Sequence, residues 1–251
     1  MIHNLILLHF FLPFQAPLHV AFCLLPTFLG ATIRHFGHMM AGLAEVEASL
    51  RKQNIPFTLL RGQPRETLPA FLKEHQLGAV VTDYSPMRIG KQWKAEVAES
   101  LGSGTPLVEV DAHNIVPVWV ASDKQEVGAR TLRPKITRLL PNYLTEFPSD
   151  QLDKYPHPPE KMPRETDWAE ALESLTVDHS VGKCDWCKPG EAAAFDMLER
   201  FTAKDNGPLR RYEKERNDPN VKAASELSPY FHFGQLAPQR AALRPGAREE
   251  P

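Results

Sequence analysis

Leu18-His-Val-Ala-Phe-Cys-Leu-Leu25 is an apolar run interrupted only by His19 and closed off by Pro17 and Pro26. It reads as a buried strand, because a strand covered on both faces is apolar throughout rather than alternating. Outward from it the hydrophobic period switches. Phe36, Met39, Met40, Leu43, Val46 and Leu50 recur at three-to-four spacing, with Glu45, Glu47, Arg51 and Lys52 off the stripe, which predicts an amphipathic helix. Ile55 to Leu60 reads as a strand ending at Arg61-Gly62. Residues 64–76 read as helix, Leu77 to Thr82 as strand, 90–101 as helix and Leu107 to Val110 as strand. Strand and helix alternating over short connections predict an α/β fold, a parallel sheet with helices on both faces.

Ligands of such sheets sit beyond the carboxyl ends of the strands. The segments at those ends are Pro26-Thr-Phe, Arg61-Gly-Gln-Pro, Asp83-Tyr-Ser-Pro-Met-Arg88 and Asp111-Ala-His-Asn114. Each is equally well a plain connecting loop. His113 beside Asp111 and Asn114 has the chemistry of a general base, although a loop histidine bonded to backbone is the plainer reading. No Gly-x-Gly-x-x-Gly or Gly-Lys-Ser/Thr stretch occurs, which argues against a nicotinamide dehydrogenase and a P-loop NTPase. No Gly-x-Ser-x-Gly elbow supports a hydrolase triad either.

The whole chain has 251 residues, 42% hydrophobic and 24% charged, so it is an ordinary globular protein with room for one large domain or two smaller ones. With 29 basic and 31 acidic side chains the net charge is −2, and bulk electrostatics point to no partner. Residues 203–251 carry 9 basic and 7 acidic side chains, an excess too small to indicate nucleic acid. Three cysteines, Cys23, Cys184 and Cys187, are too few for a disulfide framework and suit an intracellular, reducing compartment. Cys184-Asp-Trp-Cys187 is a lone pair without the two further ligands that zinc needs, so no metal is expected. The apolar start, Met1 to Phe14, lacks a basic leader and is too short to span a bilayer of about 20 apolar residues. It reads as a strand or an atypical beginning, and no membrane association is expected.

The texture changes after residue 140. Prolines 141, 148, 156, 158, 159 and 163 interrupt helix and favour an extended connection, which makes 141–163 the expected linker between an α/β domain over 1–140 and a helical domain over 164–243. Pro189 to Phe201 predicts a helix with Ala193, Met197, Leu198 and Phe201 on one side. Residues 244–251, Arg-Pro-Gly-Ala-Arg-Glu-Glu-Pro, read as a disordered tail.

Between these, Ser225-Glu-Leu-Ser228 precedes Pro229, an arrangement suited to a helix start where hydroxyls and backbone N–H groups meet an anion. Arg216 and Asn217 add a guanidinium fork and an amide, although a helix cap beside an arginine is the plainer reading.

Several longer stretches carry a resemblance: Leu24-Leu-Pro-Thr-Phe-Leu-Gly-Ala-Thr-Ile-Arg34, Asn54-Ile-Pro-Phe, Val81-Thr-Asp-Tyr-Ser-Pro-Met-Arg88, Val110-Asp-Ala-His-Asn-Ile-Val-Pro-Val-Trp-Val-Ala-Ser122, Ala129-Arg-Thr-Leu-Arg-Pro-Lys-Ile136, Trp186-Cys-Lys-Pro-Gly190, Arg216-Asn-Asp-Pro219 and Leu227-Ser-Pro-Tyr-Phe-His-Phe-Gly-Gln235. In order over roughly residues 17–243 the chain resembles the class II deoxyribodipyrimidine photolyases of the cryptochrome/photolyase family. The resemblance implies a Rossmann-like α/β antenna domain followed by an incomplete all-α FAD-type domain. It also implies light-driven splitting of cyclobutane pyrimidine dimers in UV-damaged DNA, with the flavin doing the chemistry and the dimer flipped out of the duplex.

Carried over residue by residue, the resemblance implies that Tyr212, Ser225, Leu227 and Ser228 contact the flavin, and that Arg216 and Asn217 border the flavin and the lesion. Position 224 is Ala where some relatives have a hydroxyl. The α/β domain of the family holds an antenna pigment, which these residues do not identify, and Asp111, His113 and Asn114 match a motif there without an assigned ligand. A monomer is expected, in the nucleus if the source is eukaryotic.

Two departures stand out. The family's first strand and its helix precede Pro17, where this chain has MIHNLILLHFFLPFQA. Leu5 to Leu12 suits the vacant slot, but the ordinary strand-helix crossover does not fit, so a rearranged sheet is expected. The family's helical continuation, with its catalytic residues and electron-transfer tryptophans, has no counterpart here. The alternative to a photolyase is therefore a non-catalytic, truncated form acting only as an α/β binding module. A universal-stress-like nucleotide binder fits the α/β part but leaves 186–243 unexplained. Phe231, Phe233 and Leu236 are expected to be exposed for want of helices to cover them.

Overall fold

The computed structural model describes residues 5–8 as backbone, and 18–147 and 162–244 in full. Most of the proline-rich stretch (148–161), the tail from 245 and the start of the chain outside 5–8 lie outside the described residues. The chain forms two compact units, one of residues 1–110 and 150–188, the other of 111–149 and 189–251. It passes from the first to the second after Val110, returns at Asp150 and leaves again after Lys188.

The first unit is built on a five-stranded sheet in the order β3-β2-β1-β4-β5. Its strands are β1 (Leu5–Leu8), β2 (His19–Leu24), β3 (Phe57–Arg61), β4 (Val80–Asp83) and β5 (Leu107–Val110). β2 with β3, and β4 with β5, are parallel. β1 lies between the pairs and runs antiparallel to both β2 and β4, with Leu5 opposite Phe22 and Ile6 opposite Thr82. The α/β class therefore holds, but the sheet is mixed rather than wholly parallel. Ten residues separate Leu8 from His19, fewer than a parallel crossover with its helix needs, so the vacant slot is filled by a strand that turns back. Because β1 opposes both neighbours, β2 to β5 still share one direction and one carboxyl edge.

Helices α1 (Ile33–Lys52), α2 (Pro64–Glu74) and α3 (Arg88–Leu101) are the crossovers. Side chains alternate across a strand. Ala21 and Cys23 of β2 join Val80, Leu68, Phe71 and Leu72 of α2 and Val97 of α3 in one core, while Val20, Phe22 and Leu24 face the other way and are also buried. α1 buries Phe36, Met39, Met40 and Leu43 of the stripe read from the sequence, leaves Val46 and Leu50 half-buried, and also buries Glu47, read as off the stripe. It ends where Asn54 adopts a left-handed φ of 57°. Ile55 N–H then returns to Leu50 O at 2.9 Å and Asn54 N–H to Arg51 O at 3.1 Å, the paired closure that a left-handed residue past a helix end permits.

The expected domain boundaries differ from the observed ones. Residues 162–188 belong with the α/β unit because α1 holds them. Glu47, 5% exposed, accepts hydrogen bonds from Thr166 N–H at 3.0 Å, Thr166 Oγ1 at 3.1 Å and Trp168 Nε1 at 2.9 Å. Arg51 donates to Pro163 O at 2.9 Å, Ile33 N–H to Asp178 O and Thr176 N–H to Pro26 O. The short helix α6 (Trp168–Glu173) is capped by Asp167, which accepts from Glu170 N–H, and Arg61 forks onto the Glu170 carboxylate.

The second unit contains α4 (Val118–Ala121), α5 (Ala129–Tyr143), α7 (Glu191–Thr202), α8 (Leu209–Glu215), α9 (Ser228–Phe233) and α10 (Pro238–Ala242). Residues 111–140, expected in the α/β domain, fall here. Pro141, read as the start of the linker, lies with Pro134 inside α5. Both prolines are exposed, so water satisfies the carbonyls they leave free and the helix persists. α7 buries Ala194, Met197 and Leu198.

Candidate functional site

The residues singled out at the C-terminal end all lie in the second unit and fall into two groups. The first is on α8. Tyr212 is half-buried, its ring edge-on to Phe201 with centroids 5.8 Å apart and planes at 87°. One turn on, Arg216 closes the helix with its N–H on Tyr212 O at 3.0 Å and sets its guanidinium over the Tyr212 ring at 5.4 Å, within cation–π range. Asn217 follows, exposed. Asp218 then turns the chain by accepting from Asn220 N–H and Nδ2.

The second group is the turn before α9. Ser225 Oγ accepts the Leu227 N–H at 3.4 Å. Glu226 between them holds a left-handed φ of 55°, which costs a non-glycine residue about 1 kcal/mol. Leu227 is the anchor, 3% exposed, and Ser228 is exposed as the first residue of α9. The helix start expected from the sequence is present. α9 has only six residues, so the donors on offer are the two hydroxyls rather than a strong helix dipole. Among the described residues no hydrogen bond or ring contact joins the Tyr212–Arg216 group to the Ser225–Ser228 turn.

The expectation of exposed Phe231, Phe233 and Leu236 is half corrected. Phe231 is 37% exposed, but Phe233 and Leu236 are buried at 6% and 3%, with Tyr230 at 1%. These side chains pack within the chain itself. Sequence reasoning missed what positions them: Gln235, itself buried, accepts the Gly190 N–H on Oε1 at 2.9 Å and so joins the end of α9 to the start of α7. Gly190 has a φ of 107° and precedes α7, which starts at Glu191 rather than at Pro189 as read from the sequence; a glycine at the second position of that run is the one available signal.

At the carboxyl edge of the sheet, Lys94 of α3 pairs with Glu109 and lies over the Tyr84 ring at 5.4 Å. Burial, with Lys91 alongside, lowers the Lys94 pKa from its ordinary value. Ser85, 1% exposed, has no hydrogen-bond partner for its Oγ among the described residues. In the second unit, Asp111 organises its own loop, accepting from Asn114 N–H at 3.0 Å, Asn114 Nδ2 and Val118 N–H at 2.9 Å. Its oxygens are thus committed to the loop and to the start of α4.

Below α4, Lys135 donates to Glu126 at 2.6 Å and to Ser122 Oγ at 2.9 Å, and Ser122 to Glu126 at 2.8 Å. The Lys135 hydrogen bond, then those of Thr131 and Ser122, hold the Glu126 carboxyl down to about 2. Among the described residues no group of three or more His, Cys, Asp or Glu is placed to hold a metal ion, and no helix is long and apolar enough to cross a membrane.

A family model described as DNA photolyase matches residues 14–155. The deoxyribodipyrimidine photo-lyase of Potorous tridactylus is 49% identical over 229 residues, covering 91% of this chain and 42% of that protein. The protein of the same name from Arabidopsis thaliana is 40% identical over 235 residues, covering 91% and 47%. Among solved structures, a bacterial class III photolyase from Agrobacterium tumefaciens matches with a TM-score of 0.60 at 21% identity, over 88% of this chain and 45% of that one, a likeness of fold. The chain spans less than half the length of these relatives.

Proposed function

The chain belongs to the DNA photolyase family, and from that premise we propose that it serves the light-driven repair of cyclobutane pyrimidine dimers in DNA, with FAD held by its second unit. The observation that carries the reading is the turn before α9, where Ser225 and Ser228 flank the buried anchor Leu227. The donor set suits the cofactor: two hydroxyls match phosphate oxygens, and the exposed Arg216 and Asn217 offer the charged fork and amide that a pyrimidine carbonyl or a phosphate accepts. Tyr212, Ser225, Leu227 and Ser228 would hold the flavin, and Arg216 and Asn217 would face the flipped lesion. When bound, the flavin supplies light absorption and the electron passed to the dimer. The Tyr212 ring beneath Arg216 limits the rotamers of the guanidinium, so less freedom is lost when it engages a ligand.

An antenna pigment would sit beyond the carboxyl edge of β2 to β5, the side on which open α/β sheets bind ligands. Acting on DNA, the chain would reside in the nucleus of a eukaryotic cell. The test is direct: load the purified chain with FAD, remove excess by gel filtration, and follow flavin absorbance and blue-light reversal of a single thymine dimer in a duplex. Retained flavin that Ser228→Ala and Ser225→Ala weaken, together with dimer reversal, supports the reading. A colourless protein that reverses no dimers overturns it and leaves a non-catalytic α/β binding module.

A further inference from the structure

From Val127 to Thr145 the sequence has four basic residues and no acidic one. Helix α5 sorts them. Arg130, Arg133 and Arg138 are exposed, together with Pro134, Thr137 and Pro141, whereas Leu132, Lys135, Ile136, Leu139, Leu140 and Tyr143 are half-buried. At 3.6 residues per turn the exposed positions make one face. Lys135 is consumed by Glu126 and Ser122. The three arginines have no ion pair or hydrogen bond to any partner among the described residues, so their guanidinium forks are free. Asp123 and Glu146 are the exposed carboxylates nearest in sequence, one before α5 and one after it.

We propose that this arginine face of α5 is a docking surface for the phosphate backbone of duplex DNA, a contact that positions the duplex without reading its sequence. The proposal rests on the DNA-repair reading above and adds a surface outside the residues assigned to flavin and lesion. Charge complementarity is the argument. A face of three unpaired arginines with no carboxylate on its own helix attracts a polyanion, and the guanidinium fork matches phosphate oxygens two at a time. From Arg130 to Arg138 the helix rises about 12 Å, a length over which one strand of B-DNA presents three to four phosphates at about 3.4 Å each along the axis. The two prolines on the same face bring no carboxylate to it, so every charge on that face is positive.

The experiment measures binding of the full chain to an undamaged 20-base-pair duplex by fluorescence anisotropy over a salt series. Three triple variants are compared with the unaltered chain: R130Q/R133Q/R138Q, the same positions to Lys, and the control R65Q/K73Q/K91Q, which removes equal charge from α2 and α3. The α5 glutamine variant is expected to bind at least about tenfold more weakly and to lose up to about 3 from the slope of log K against log salt, near 0.9 per phosphate contact. The lysine variant should keep the slope, and the control should stay within about threefold of the unaltered chain.

Equal weakening by both glutamine variants, no change in either, or no duplex binding at all would overturn the arginine face. Because flavin retention and dimer reversal are read separately, either failure is assigned without ambiguity. Loss of the slope with dimer reversal absent would leave the surface standing and the repair reading fallen.

Discussion

The indole N–H of Trp168 donates to the carboxylate of Glu47 at 2.9 Å across 121 residues of chain. With Thr166 on the other oxygen, this carboxylate fastens the returning segment to α1. Glu47→Ala leaves three donors, Thr166 N–H, Thr166 Oγ1 and Trp168 Nε1, without their acceptor, at a cost of roughly 2–4 kcal/mol. A urea titration followed by tryptophan fluorescence should show an earlier midpoint, and an unchanged midpoint would show that water replaces the carboxylate freely.

Gly90, in the first turn of α3, leaves no space for a side chain. A Cβ there would stand 2.3 Å from Ser85 Oγ and 2.6 Å from Ser85 Cβ. Gly90→Ala should therefore lower stability by about 1–3 kcal/mol through overpacking. Ser85→Ala removes a buried hydroxyl with no partner and should be neutral or stabilising, by up to about 2 kcal/mol. The thermal midpoint should fall for Gly90→Ala and hold or rise for Ser85→Ala, and parallel losses would count against this packing account.

Glu126, held down to about 2 chiefly by Lys135, gives the α4–α5 region an acid dependence. Its folded pKa lies below the usual 4.5. Its contribution to stability is therefore complete above about pH 4.5 and is lost as pH falls through about 2. Unfolding midpoints across that window should fall more steeply for the unaltered chain than for Glu126→Gln, and identical slopes would show that the Lys135 pair contributes nothing.

Cysteine reactivity should separate by burial. Desolvation raises the Cys23 thiol to about 11, with the Thr67 hydrogen bond only partly opposing it, whereas Cys184 is half-buried. Iodoacetamide at pH 8 should label Cys184 first and leave Cys23 unlabelled until the chain unfolds. Mass spectrometry of labelled peptides decides the order.

The α/β elements were legible because each carries its own period: the β2 run between two prolines, the α1 stripe ending at Leu50, and β5, found at Leu107–Val110 as read. What the sequence did not reveal depends on partners far away or on solvent. Nothing local to Thr166 and Trp168 announces Glu47, so residues 164–188 read as part of the helical domain. Nothing in Pro134 or Pro141 says that their side of α5 is wet, so the second reads as a break. The orientation of β1 follows from counting the residues before β2, which the sequence did allow, although a count alone gives no register. At the candidate site the residue types were legible and their grouping was not: Tyr212 and Arg216 are joined by a helical turn, while Ser225 and Ser228 depend on the strained Glu226 and on Leu227 reaching the core.

The chain enters the second unit after Val110, comes back at Asp150 and departs again after Lys188. Neither unit is therefore specified by one uninterrupted stretch of gene. A single recombination point cannot move the α/β unit into another protein intact, because a graft of residues 1–110 alone would arrive without the strand of chain that occupies the Glu47 carboxylate. A transplant that works must bring 162–188 along as a second insert or by rejoining the ends in a new order. In a lineage that builds proteins by shuffling segments, such interleaving would keep the two units together through descent.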